Sequence, residues 1–270
     1  MDDQFSGTWA LVTGASSGLG EEFARQLAAR KTNLVLTARS EGALSSLAAQ
    51  LVKEHGIRAE VIALDLGTPG GAEHLCREVD ARGHQIAHLV SNAGFGLNGP
   101  VVDANGPRLA DMVRLNCEAL VVLSHHFLPR LVEKRAGGII HVASIAGYQP
   151  VPYMAVYGAT KAFVVSFSVA LAEEARASGV RVLALCPGPV ATGFQAVAGS
   201  GIAPSQKAAV LDAKAVVARG ILAYERGKTV CVPGTINRVQ LMASKIAPQS
   251  LVVKSVARMM KTKSKSKHGG

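Results

Sequence analysis

The sequence predicts an α/β domain: a doubly wound parallel sheet of seven strands with helices on both faces. Three observations carry that reading. Short apolar runs alternate with longer stretches of helical periodicity, the pattern of a parallel sheet whose crossovers are helices. With 270 residues and 49% hydrophobic content, one sizeable core is expected, and the α/β repeat leaves no room for a second domain. No internal repeat of solenoid period is present, which sets repeat architectures aside.

The elements follow in order. The first strand is expected at 9–13, after which Leu19, Phe23 and Leu27 fall at helical spacing, so a helix is expected over 18–30. The strand at 33–38 leads to a helix over 41–55, and that at 59–64 to one over 71–82. A strand at 88–91 precedes a long helix over 107–133, and one at 139–143 precedes a helix over 154–178. The sixth strand, 181–186, gives way to a less regular stretch over 192–207, and 229–232 is the last strand. Two helical pieces split by Pro248 are expected over 238–247 and 249–260. The chain thus divides into a domain over 1–234 and an extension over 235–270.

Tyr157 stands four residues before Lys161, and Ser144 ends the fifth apolar run. Residues four apart share a helix face, so the lysine ammonium can lie beside the phenol. A free phenol has a pKa of about 10, and a fixed cation nearby favours the phenolate and lowers that value. Ser144, at the end of a neighbouring strand, can hold a substrate oxygen beside it, as a stabiliser of developing negative charge does.

A second signal is the turn between the first strand and first helix, Gly14-Ala15-Ser16-Ser17-Gly18-Leu19-Gly20. Glycines let the backbone approach a pyrophosphate, and the N–H groups and dipole of a helix start favour its charge. The spacing Gly-x3-Gly-x-Gly differs from the Gly-x-Gly-x-x-Gly of many dinucleotide sites.

Together these residues resemble the short-chain dehydrogenase/reductase family, over nearly the whole chain to about Gly234. Asn92-Ala93-Gly94, after the fourth strand, resembles the family segment that backs the adenosine side of the cofactor site. Asn116 corresponds to the asparagine that holds a helix kink and a water next to the catalytic lysine. Pro187-Gly188-Pro189-Val190-Ala191-Thr192 resembles the turn bordering the nicotinamide. Asp65, followed by Leu66, resembles the acid that accepts from the adenine amino group, and it could also cap the turn at residues 66–68. The resemblance implies a Rossmann-type domain, with Asn116, Ser144, Tyr157 and Lys161 as the catalytic set. It implies reversible hydride transfer to a carbonyl carbon: Tyr157 gives the proton, Lys161 lowers its pKa and holds the nicotinamide ribose, Ser144 holds the oxygen, and Asn116 orders the relay water. Tyr153 is assigned to the substrate pocket, with ordinary packing as the alternative.

The cofactor is read at the end of the second strand, where Arg39 stands and no acid does. An acid there suits the ribose 2′-hydroxyl of NAD, and an arginine the 2′-phosphate of NADP. NADP is therefore expected, with Ser16 or Ser40 adding hydroxyl bonds. The cofactor contacts are assigned to Gly14, Ser16, Ser17, Gly18, Leu19, Gly20, Arg39, Asp65, Leu66, Asn92, Ala93, Gly94, Tyr157, Lys161, Pro187, Gly188, Val190 and Thr192.

Composition bounds the rest. Cys76, Cys117, Cys186 and Cys231 show no Cys-x-x-Cys spacing, which points to buried free thiols and a reducing, cytoplasmic setting. His125 and His126 are adjacent and cannot share a metal as an i, i+4 pair can; no metal site is read. No window approaches the length of a spanning helix, and no leader is expected. From Arg226 onward there are ten Lys or Arg and no acid, which accounts for the whole net charge of +10. Lys254, Arg258 and Lys261 recur opposite Val252, Val256 and Met259. Such a helix could attach to an anionic membrane surface or pack on its own domain or on a second subunit. Nucleic acid is not expected, because the basic run lacks interleaved aromatics.

The extension favours a homodimer over a tetramer, and its apolar, basic character loosely resembles family members that act on lipid-like or 3-oxoacyl substrates. The segment from Phe194 to Leu211 fits a mobile lid over an apolar substrate. Two alternatives stay open: a non-catalytic NADP-binding sensor or scaffold, and a peripheral membrane adaptor acting through the tail.

Overall fold

Seven strands pair in parallel: β1 (Trp9–Thr13), β2 (Asn33–Ala38), β3 (Ala59–Ala63), β4 (Ile86–Ser91), β5 (Gly138–Val142), β6 (Arg181–Leu185) and β7 (Val230–Cys231). Their spatial order is β3-β2-β1-β4-β5-β6-β7. The computed structural model describes residues 4–194, 198–199 and 208–264, with the side chains of Lys245 and of residues 261–264 outside that description. Most of the expected lid, 195–197 and 200–207, lies outside the described residues, as does the end of the basic run.

Side chains alternate between the faces of a strand, and that parity sorts the core into two layers. Ala10 and Val12 of β1 face α1 (Gly18–Ala29), α2 (Glu41–His55) and α7 (Ala213–Glu225), among Phe23, Leu27, Leu44, Val217 and Ile221. Trp9 and Leu11 face the other way, onto α3 (Gly71–Ala81), α5 (Ala119–Lys134) and α6 (Ala155–Glu174), among Leu75, Val79, Phe127 and Leu171. Each fully buried Leu or Phe of this kind contributes about 1.5–3 kcal/mol. The doubly wound sheet is therefore as the sequence predicts.

Several boundaries differ. β4 starts at Ile86, because Trp9 pairs with it before a register shift at Ala10. The long helix expected over 107–133 is α4 (Gly106–Val113), a π-helical turn at Arg114–Glu118, and α5. Asn116 sits in that turn and makes the contacts described below. Helix α7 was not foreseen, although Val216, Val217, Ile221 and Tyr224 follow helical spacing and are buried. α6 is long and apolar enough, by length and composition, to cross a membrane, contrary to the expectation that no window approaches a span. It packs against β5 and β6, as a core helix does.

His141 is fully buried between the hydroxyls of Ser124 (2.9 Å) and Ser168 (2.8 Å), so both of its ring nitrogens are satisfied inside the apolar strand. Burial pushes it down to about 3, which keeps it neutral. The extension folds as α8 (Thr235–Ile246) and α9 (Gln249–Ser264). Asn237 of α8 is 1% exposed and donates to the Pro233 carbonyl at 3.0 Å. Val256 and Met260 of α9 are buried in a cluster that includes Phe95, Met154 and Tyr157.

Candidate active site

The strand order reverses at β1, which pairs with β2 on one side and β4 on the other. Loops leaving the carboxyl ends of strands at such a switch point diverge and leave a crevice between them. Here the diverging loops are the glycine turn after β1 and Asn92-Ala93-Gly94 after β4. Thr13 ties them together. Its hydroxyl accepts from the backbone N–H groups of Asn92 and Ala93, each at 2.9 Å, while Asn92 Nδ2 donates to the Thr13 carbonyl at 2.9 Å and the Gly14 carbonyl at 3.3 Å.

This clamp explains two glycines. Gly14 has φ +65°, a left-handed conformation that favours glycine. Gly20 lies so close beneath the turn that a Cβ on it would stand 2.1 Å from the Gly14 carbonyl oxygen and 2.5 Å from Asn92 Nδ2. Ser17 at the start of α1 makes no side-chain capping bond, so its hydroxyl is not spent on the first-turn N–H groups.

The crevice is a cavity of about 810 Å³. Gly14, Ser16, Ser17, Gly18, Leu19, Arg39, Asp65, Leu66, Asn92, Ala93, Gly94, Ser144, Tyr157, Lys161, Pro187, Gly188, Val190 and Thr192 all line it, so residues drawn from seven separate loops and helices meet as the motifs suggested. Arg39 is on the rim, with its side chain 71% exposed and Nη1 4.0 Å from Asp65 Oδ2. Asp65 Oδ1 accepts from the Gly67 N–H at 2.8 Å, so it does cap its turn, while Oδ2 faces the arginine.

Three predicted residues do not line this cavity. Gly20 is under the turn, as described. Asn116 is buried behind the wall: Nδ2 donates to the Phe95 carbonyl and to Thr160 Oγ1, both at 3.0 Å, and Oδ1 accepts from the Phe95 N–H at 3.1 Å. Both of its amide donors are therefore in use, and its side chain braces the β4 loop against α6 at the π-turn. Tyr153 takes the packing alternative, against the cluster of Phe95, Met154 and Tyr157. It has φ +66°, its carbonyl accepts from the Gly99 N–H at 2.7 Å, and its side chain lines an adjoining cavity with Leu97, Pro100 and Leu109.

At the reacting end, Ser144 Oγ accepts from the Ala146 N–H at 3.1 Å and bonds Tyr157, which lowers the phenol pKa. Lys161 Nζ lies 5.8 Å from the centre of the Tyr157 ring and donates to the Val142 carbonyl at 2.8 Å. Both groups are buried, and burial penalises the charged form of each. It pushes Tyr157 up to about 12, against the Ser144 bond, and Lys161 down to about 8. The expected depression of the phenol by the lysine is not what sets its pKa: burial raises it, and the group that lowers it is Ser144. A phenol held in this way keeps its proton at neutral pH, as a proton donor must.

Beyond Tyr157 the wall is apolar. Its ring centre lies 5.5 Å from that of Phe194. A Cβ on Gly96 would stand 3.0–3.1 Å from Phe194, Met154 and Tyr157, so glycine leaves room for the three to meet. Val151 and, from α9, Val256, Met259 and Met260 line the same cavity. Sequence reasoning found the apolar face of α9 but not what it covers, and it missed Thr13 and Phe95, which carry no motif of their own.

These residues fit a dinucleotide. The glycine turn is a cradle that a Cβ would fill, a cation stands on the rim, and one cavity runs from there to Ser144 and Tyr157. Comparison with known proteins agrees. The pattern of the short chain dehydrogenase family matches residues 8–202. A very-long-chain 3-oxoacyl-CoA reductase from Pyricularia oryzae is 37% identical over 179 residues, 65% of this chain and 54% of the relative. The same-named protein of Pyrenophora tritici-repentis is 34% identical over 180 residues, 65% of this chain and 53% of that one. The chain spans about half the length of the curated relatives it matches. A solved short-chain dehydrogenase from Sphingobium yanoikuyae in complex with NADPH is 32% identical with a TM-score of 0.80, covering 91% of this chain and 95% of its own.

Proposed function

The chain belongs to the short-chain dehydrogenase family, and from that membership we propose that it is an NADPH-dependent oxidoreductase that reduces a ketone or 3-oxo group to a secondary alcohol. The observation that carries this reading is the continuous cavity that joins Arg39, the glycine turn, the Ser144–Tyr157–Lys161 group and an apolar end. The relatives named as 3-oxoacyl-CoA reductases and the NADPH complex of the Sphingobium protein support it.

When bound, NADPH supplies the hydride to the carbonyl carbon. The chain supplies the rest. The glycine turn and the start of α1 hold the pyrophosphate, and Arg39 holds the 2′-phosphate on the rim. Ser144 donates to the carbonyl oxygen, and Tyr157 Oη gives that oxygen its proton. Lys161, held by the Val142 carbonyl, places its charge under the phenol and beside the ribose site. Asn116 is a positioning residue, linked through Thr160 Oγ1 to the Tyr157 carbonyl (2.8 Å). Tyr157, protonated at neutral pH, is in the state that a proton donor in reduction needs.

The apolar wall past Tyr157 suits a lipid-like or 3-oxoacyl ketone. The test is NADPH consumption with 3-oxoacyl esters, steroids, simple ketones and sugars. Wild type should prefer NADPH over NADH, and Arg39→Glu should lose about 10–100-fold of that preference, the worth of a charge-assisted bond. An unchanged ratio would remove Arg39 from cofactor choice, and binding of NADPH with no turnover on any carbonyl would favour a sensor instead.

Two assembly proposals accompany this function. The exposed face of α6, with Phe163 and Val169 each 42% exposed, supports a homodimer, and a monomeric mass by light scattering would reject it. Val239, Met242, Ile246 and Leu251 are 59–82% exposed on helices that also carry Arg238, Lys254 and Arg258, which supports contact with an anionic membrane surface from the cytoplasm. The free cysteines support that reducing compartment. Ile246→Asp should reduce sedimentation with phosphatidylserine vesicles; equal sedimentation with pure phosphatidylcholine would reject the electrostatic attachment.

A further inference from the structure

Helix α9 shows two different faces. Val252, Val256 and Met260 recur every four residues and so form one stripe, which packs into the cluster of Phe95, Val151, Met154 and Tyr157. Val256 is 7% and Met260 6% exposed, while Leu251, Lys254 and Ser255 on the other side are exposed. Val256, Met259 and Met260 line the cavity that also contains Ser144 and Tyr157. A residue more than a hundred positions after the proton donor in the chain therefore stands within the same chamber.

The cofactor groove takes up one arm of this cavity, from Gly14 to Arg39. A substrate whose carbonyl lies at Ser144 and Tyr157 must extend its substituents into the other arm, toward Val151, Met154 and α9. We infer that α9 is the end wall of the substrate chamber and that Val256, Met259 and Met260 set the length and bulk of the carbonyl compound reduced there. This rests on the carbonyl reductase reading above and deepens it. Methionine suits such a wall, because its unbranched, polarizable side chain repacks around apolar groups of different shape. A hydrophobic wall discriminates by volume: one methylene too many or too few changes kcat/KM by about tenfold or more.

The test is the kinetics of NADPH oxidation with a series of short, medium and long 2-alkanones, together with NADPH affinity by fluorescence titration. Met260→Ala and Val256→Ala should each move the optimum to longer ketones, raising the long-to-short ratio of kcat/KM by about tenfold, mainly through KM. Met260→Phe should move it to shorter ones. Ser255→Ala, on the outer face, should keep the wild-type profile. NADPH affinity should be the same in all four, because the wall is remote from the groove of the glycine turn. Identical chain-length profiles in the alanine and phenylalanine variants, with wild-type turnover intact, would overturn the wall and leave the reductase reading standing. An equal loss of NADPH affinity would also overturn it, by showing that α9 serves the cofactor. A wild type that oxidises NADPH with no ketone of any class would remove both readings.

Discussion

Tyr157→Phe should lower kcat by about 10²–10⁴-fold, the usual contribution of a positioned general acid, while NADPH affinity stays near that of the wild type. The ring keeps its place in the variant. It is 8% exposed, packed against Phe194 at 5.5 Å and held in α6 beside Lys161, and removal of one oxygen leaves that packing intact. What is lost is the proton for the substrate oxygen and the bond from Ser144 that meets it. Stopped-flow absorbance of NADPH and fluorescence titration separate the two effects. Turnover at the wild-type rate would remove Tyr157 as the acid, and a parallel collapse of NADPH binding would indicate a structural role. Because burial pushes the phenol up to about 12, the donor stays protonated across the neutral range, and the rate of reduction should not fall between pH 6 and 8 through ionisation of Tyr157.

Gly20→Ala should cost about 3 kcal/mol and lower the melting midpoint by roughly 6–12 °C, as overpacking against an unyielding neighbour does in a domain of this size. The new methyl group would stand 2.1 Å from the Gly14 carbonyl oxygen and 2.5 Å from Asn92 Nδ2. Neither atom is the loose end of a flexible side chain. The first is backbone in a left-handed turn, and the second is the hub that donates to Thr13 and Gly14. Relief of the clash must open the clamp between β1 and β4, so NADPH affinity should fall at least as sharply as stability. Gly42→Ala is the contrast: it lies in α2 with nothing within 4 Å of its added methyl, and alanine there should hold or raise the midpoint. Calorimetry of both variants with and without NADPH gives the comparison. Equal midpoints for the two would show that the turn can move as a unit, and the clamp would lose its role.

The fold was legible because a parallel sheet repeats one local pattern. Each apolar block followed by a helical stretch is decided by neighbours in sequence, and all seven blocks lie within two residues of the observed strand ends at both termini. The departures have particular causes. Helix α7 follows a segment rich in alanine and glycine, and its apolar spacing at Val216, Val217, Ile221 and Tyr224 stands out little from that context. The π-turn at Arg114–Glu118 is invisible to a helical wheel, since one extra residue in one turn only rotates the register that follows. Tyr153 has a left-handed backbone at φ +66°, packs on the cluster of Phe95, Met154 and Tyr157 and lines the adjoining cavity.

By itself the sequence determined the doubly wound sheet, the glycine turn, and the grouping of Ser144, Tyr157 and Lys161, because each is written in residue types at short spacing or at strand ends. The tertiary structure alone decided that burial outweighs the Ser144 bond at the phenol. It also decided that Thr13 and Asn92 lock the cradle, that Asn116 braces the wall from behind, and that α9 lines the apolar end of the cavity. These facts depend on residues that are far apart in the chain and brought together by packing. Spacing along one element reports which side chains share a face, and only the assembled layers settle what that face meets and how much water is left around it.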